Sequence, residues 1–152
     1  MIKLPKMHVI SCAKTVDAVI ERRKTVTRRW GWKHARVGMF LRVVDRLRYR
    51  DTDPPQVTLA CVEVVKVTRQ DDIGAGGAFD IAFRSLELFR FQHDPYAQDE
   101  CWREGFRSLE SDNMVLASLL ASMAPKDYRE RGLTRIEWVY REDLFEAWKE
   151  QR

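Results

Sequence analysis

Residues 56–68 constrain the fold most, because this run is apolar on both of its alternating faces. Val57, Leu59, Cys61, Val65 and Val67 make one face, and Ala60, Val62 and Val64 make the other. A strand with one face in water alternates apolar and polar residues, whereas a strand covered on both sides does not. The pattern predicts a central strand enclosed by neighbours and overlaid by helices, as in a small barrel. Further strands are predicted over 7–11, 40–46, 25–30 and 134–140, the last placing Ile136, Trp138 and Tyr140 on one face.

Helical spacing appears between these strands. Val16, Val19 and Ile20 predict a helix over 15–22, and Leu144, Phe145 and Trp148 a closing helix over 141–149. Pro95 and Gly105 frame a third over 95–104, with proline in its first turn and glycine as the left-handed residue that ends it. Ser111 suits the cap of a fourth, which carries Leu116, Leu119, Leu120 and Met123 and stops before Pro125. The sequence Asp51-Thr52-Asp53-Pro54-Pro55 is a turn. Gly74-Ala75-Gly76-Gly77 lacks the spacing of a phosphate-binding loop and is read as a loop or hinge, while the rest of the insertion 71–94, with Phe79, Phe83, Phe89 and Phe91, is assigned no element and is a candidate lid over a cleft. Strands and helices mixed along 152 residues predict one α+β domain, with no repeat or linker.

The densest chemistry lies in residues 22–32. Arg22, Arg23, Lys24, Arg28 and Arg29 supply cations, Thr25 and Thr27 hydroxyls, and Trp30 and Trp32 flat apolar faces. Cations neutralise phosphates and indoles stack on unpaired bases, so the mixture suits a single-stranded or flipped-out nucleotide. The same residues also suit a solvated basic face with core tryptophans. In an extended chain Thr25, Thr27 and Arg29 share one side, while Val26 and Arg28 share the other, where Arg28 is placed for an ion pair. Gly31 can turn the chain so that only one of Trp30 and Trp32 reaches a cleft. Arg22 and Arg23, at a helix end, also complement the helix dipole.

Composition narrows the classes. Twenty-seven Lys and Arg against 23 Asp and Glu give a net charge of +4, which favours an anionic partner by steering. Cys12, Cys61 and Cys101 are odd in number and widely separated, which argues against a disulfide framework and for a reducing cytoplasm. His8, His34 and His93 do not form a ligand motif, so no metal and no cofactor are expected. The N-terminal residues lack the apolar core of a signal peptide, and no apolar run has the length of a membrane span.

Lys24-Thr25-Val26-Thr27-Arg28-Arg29, followed by Gly31-Trp32 and by Gly38 before a strand, resembles the signature of the ASCH domain family in its small bacterial and phage form. Arg103-Glu104-Gly105-Phe106 is similar to that family's helix-ending Glu-Gly-Phe element, and Thr134-Arg135-Ile136-Glu137-Trp138 to its last strand. The resemblance implies a PUA-like fold, a small mixed β-barrel with flanking helices whose cleft receives single-stranded RNA or a modified nucleoside. Some relatives are amidohydrolases that deacetylate N4-acetylcytidine, and others are RNA-binding modules or ribonucleases. The catalytic lysine, threonine and glutamate of the amidohydrolases would fall on Lys24, Thr27 and Glu104.

A threonine hydroxyl needs a nearby base, and a desolvated lysine is one that serves. Burial or the neighbouring guanidinium groups would lower the pKa of Lys24 as that role requires; otherwise Lys24 is an ordinary phosphate-binding cation. Glu104, at a helix C-terminus, sits where the dipole disfavours a carboxylate, and can exchange a proton or accept a hydrogen bond from a cytosine amino group. Arg29 is the first choice to grip a carbonyl or phosphate. Arg28, Trp30, Trp32, Lys33 and, on the last strand, Arg135 complete the expected binding set. The sequence supports a recognition module first, an amidohydrolase as the alternative, and a ribonuclease least, since no histidine pair or metal site is visible for phosphodiester cleavage.

Overall fold

The computed structural model of the chain describes residues 2–70, 76–89, 100–106 and 112–152. Five strands form one mixed, curled sheet: β1 (Met7–Ser11), β2 (Val26–Trp30), β3 (Phe40–Val44), β4 (Thr58–Gln70) and β5 (Leu133–Tyr140), in the spatial order β1-β3-β4-β5-β2. β1 runs parallel to β3, and the remaining pairs are antiparallel. The α+β class follows from the six helices described beside this sheet: α1 (Val16–Ile20), α2 (Ala78–Leu88), α3 (Glu100–Arg103), α4 (Asp112–Ser122), α5 (Tyr128–Arg131) and α6 (Glu142–Glu150).

β4 sits at the centre of the sheet and is buried from Thr58 to Val62, as its two apolar faces require. The expected face ends at a bulge. Val64 pairs with Trp138 and Lys66 with Glu137, so Val65 is the extra residue and turns outward to solvent. Ile10, Leu41, Val43, Val62, Ile136 and Trp138 form the main core. A second core, of Ala82, Leu86, Cys101, Leu116, Ala117 and Leu120, joins α2, α3 and α4. Ile81 and Leu133, with Trp30 and Tyr128 against them, tie the helical layer to the sheet.

Within 71–94, which the sequence pattern leaves unassigned beyond the glycines, residues 78–88 are α2. Ile81, Ala82, Ser85 and Leu86 recur at helical spacing and are buried, a periodicity that outweighs the local preference of the glycines before it. Gly77 begins that helix, and its N–H donates to Asp80 Oδ2 at 3.1 Å. Residues 71–75 and 90–94 lie outside the described residues, as do residues 95–99 of the predicted helix 95–104, whose described end holds α3. The cap expected at Ser111 lies outside them too. Gly105 has φ +105°, and a Cβ there would stand 2.9 Å from the Cβ atoms of Thr15 and Ala18. Only glycine suits both the conformation and that approach.

No helix among the described residues is long and apolar enough to cross a membrane. Cys12, Cys61 and Cys101 are buried and form no disulfide.

Candidate functional site

β2 positions the site because its alternation divides the basic segment. The chain leaves α1 through Arg22, whose φ of +62° lies in the left-handed region that a residue with a side chain seldom occupies. Arg22 is held there by Glu142, 2.6 Å from its Nε, and by the carbonyl of Leu59 at 3.0 Å. Lys24 is fixed at the start of β2: its carbonyl accepts from Trp138 Nε1 at 3.0 Å and from the Tyr140 hydroxyl. Burial pushes Tyr140 up to about 12, so the phenol keeps its proton as a donor.

From that start, Lys24, Thr27 and Arg29 border a cavity of about 640 Å³ together with Trp30, Trp32 and Glu104. The turn after β1 adds Ser11, Cys12 and Lys14, and an apolar wall comes from Phe106, Leu116, Leu119, Leu120 and Met123. Lys24 Nζ donates to the backbone carbonyl of Glu104, which joins the two ends of the expected triad. Desolvation is the largest influence on Lys24 and holds it below the ordinary lysine value of 10.5; Cys12 and Glu104 oppose the shift, and Arg29 and Arg28 reinforce it. Arg29 Nε lies 3.3 Å from Thr27 Oγ1, and its Nη2 donates to the Ser11 carbonyl. Its partners are neutral, so its charge remains to attract an anion.

Arg28 reaches the same wall but is engaged behind it. Its guanidinium donates to Glu100 Oε2 at 2.7 Å, Ser85 Oγ at 2.7 Å and Glu104 Oε1. Across the sheet Arg28 faces Arg135, a pairing of like charges that is unfavourable by itself. Glu100 bridges the two, accepting from Arg135 Nε at 2.9 Å and Nη2 at 2.8 Å, and Arg103 and Glu137 extend the cluster. Three arginines are thereby set against three glutamates. The Phe89 ring lies 4.1 Å from the Arg135 guanidinium.

Arg135 is therefore corrected as a binding residue: it is 1 % exposed and absent from the cavity wall. Thr134 is fully buried beside it, with its hydroxyl donating to the Gly31 carbonyl. Lys33 is exposed and stands outside the cavity lining. Arg22 and Arg23 pair with Glu142 and Glu21, so the cationic cluster supplies the cavity chiefly with Lys24 and Arg29. Both indoles border the cavity, but differently. Trp30 is anchored through Nε1 to the Leu120 carbonyl at 2.9 Å and lies edge-on to Tyr128. Trp32, at φ +52° after Gly31 at +83°, stacks on His34 with ring centroids 4.8 Å apart.

Glu100, which matches no sequence motif, organises the charge cluster. Its one signal is its place a helical turn before Glu104, with the Glu104 N–H donating to its carbonyl at 2.9 Å. Cys12 and Tyr49 also border the cavity without having been anticipated. Among the described residues no group of three or more His, Cys, Asp or Glu is placed to hold a metal ion.

No family model matches the chain, and no curated protein matches it. One solved structure, of hypothetical protein PH0355, is similar over 90% of this chain and 100% of that one, with a TM-score of 0.54 at 9% identity. That likeness is one of fold alone.

Proposed function

We propose that the cavity recognises a nucleobase, presented by single-stranded RNA or by a modified nucleoside, and that the chain is an ASCH-type, PUA-like module. The observation that carries this reading is the meeting of Lys24, Thr27, Arg29 and Glu104 with Trp32 and an apolar wall in one cavity. A base is flat and apolar on its faces and polar at its edge, so it needs both kinds of surface. Glu104 offers a carboxylate to an exocyclic amino group, and Arg29 offers N–H donors to a ring carbonyl or phosphate. The resemblance of residues 24–32, 103–106 and 134–138 to ASCH signatures supports the same reading. Titrating cytidine and N4-acetylcytidine into the protein and into its Arg29→Ala variant tests it: binding that weakens in the variant supports it, and no binding of either ligand removes it.

The lowered pKa of Lys24 favours a second reading, the deacylation of N4-acylcytidine. Neutral Lys24 would take the Thr27 proton as Thr27 Oγ1 attacks the amide carbonyl, and would return a proton to the departing cytosine amine; water then hydrolyses the threonyl ester. Release of cytidine from N4-acetylcytidine, abolished in Thr27→Ala with the fold intact, is the expected result. Unchanged turnover in that variant excludes Thr27 as nucleophile.

A further inference from the structure

A second, smaller cavity of about 330 Å³ adjoins the first and shares Ala13, Lys14, Thr15 and Phe106 with it. Arg23 borders this second cavity, with a side chain only 8 % exposed. Its Nε donates to Glu21 at 3.2 Å and its guanidinium lies 4.7 Å from the Trp102 ring centroid, yet Nη1 is buried without a hydrogen-bond partner among the described residues. Buried guanidinium N–H groups are seldom left unmatched, and such an orphan calls for a ligand. Lys14, exposed on the same wall, adds a second cation, and the side chain of Thr15 makes no capping bond to α1. Asp17 is the carboxylate on this wall; it opposes an anion, as Glu21 does through its bond to Arg23.

We propose that this second cavity is a phosphate subsite, in which Arg23, Lys14 and the Thr15 hydroxyl hold a phosphate attached to the nucleoside in the first. The inference rests on the nucleobase reading of the main cavity and extends it from nucleosides to nucleotides. An arginine suits the task because its planar donors match phosphate oxygens, with lysine contributing a point charge. The phosphate has two sources, the terminal group of a free mononucleotide or a phosphodiester within a strand.

The test is a set of calorimetric titrations of the full chain with cytidine, cytidine 5′-monophosphate, cytidine 3′-monophosphate, the dinucleotide CpC and inorganic phosphate. One phosphate is expected to tighten binding about tenfold or more over cytidine. Arg23→Lys is expected to remove most of that gain while leaving cytidine affinity unchanged, and Lys14→Gln is expected to reduce the gain as well. Lys14 is exposed, so its variant separates binding from folding. A gain with a monophosphate but not with CpC assigns the subsite to free nucleotides, and a gain with CpC assigns it to a strand. Equal affinities for cytidine and all its phosphates, or a gain that both variants leave intact, overturns the subsite while leaving the nucleobase reading standing. Inorganic phosphate that binds in an Arg23-dependent way, with no binding of cytidine, keeps the subsite and removes the nucleobase reading instead.

Discussion

Arg28 and Arg29 are adjacent in sequence and opposite in fate. Arg28 is 3 % exposed and satisfied by Glu100, Glu104 and Ser85, whereas Arg29 is half-buried at the cavity and touches a hydroxyl, a carbonyl and a thiol. Strand alternation alone separates them. The difference teaches that a basic run in a sequence is not one functional unit: one face of β2 is used to build the molecule and the other is left with charge to offer.

The largest way to break this comparison is Arg28→Ala. Removing it leaves Glu100 and Glu104 buried without one of their cations, which is expected to cost about 3–5 kcal/mol in denaturant unfolding. Arg29→Ala is expected to cost about 1 kcal/mol, because the groups it leaves are neutral acceptors. Equal losses would dissolve the distinction. Trp30 and Trp32 sharpen it in the same terms. Trp30→Ala is expected to cost about 3 kcal/mol of stability, and Trp32→Ala about 1–3 kcal/mol of single-stranded RNA affinity with the fold retained. Reversal of the two would place the wrong indole at the ligand.

The pH dependence of stability separates Glu100 and Lys24 by window, acid for one and alkaline for the other. Burial opposes ionisation of Glu100, but Arg135 and Arg28 outweigh it and hold its carboxyl below 4.5. Its contribution is fully present above the unfolded value of 4.5 and is lost as pH falls through the lowered folded value. Lys24, held below 10.5 by burial, acts in the alkaline window: the unfolded chain binds the extra proton, so the penalty on the buried charged form is relieved and stability rises with pH from its folded value up to 10.5. Lys24→Met is expected to flatten that alkaline rise and leave the acid limb unchanged. An alkaline rise that survives the substitution would contradict the burial of Lys24. The smallest expected effect is on salt dependence: Arg29→Ala should reduce the log–log slope of RNA affinity by about 0.7, the share of one phosphate contact.

Much of this was legible in residues 25–30, where period-two alternation separates Thr27 and Arg29 from Arg28 without any tertiary information. The same reasoning failed for Arg135. Its face depends on the register that sets it opposite Arg28, and its neutralisation depends on Glu100, 35 positions away. Neither leaves a local trace. The alternation of β4 located the central strand but not the bulge at Val65, since one extra residue shifts every later side chain to the other face. α2 was hidden by the glycines before it, although Ile81, Ala82, Ser85 and Leu86 carry its period. The expected binding role of Lys33 assumed that the basic run continues past Gly31. The positive φ of Gly31 and Trp32 turns the chain there.

The central claim is that one cavity beside β2 receives a nucleobase. Backbone amide chemical-shift mapping during titration with oligocytidylate tests it most directly. The largest shifts are expected on Cys12, Thr27, Arg29, Trp32 and Phe106, with little change around Arg135 and Val139. Saturating oligocytidylate that leaves the cavity residues unmoved, or that shifts the opposite surface instead, would contradict it.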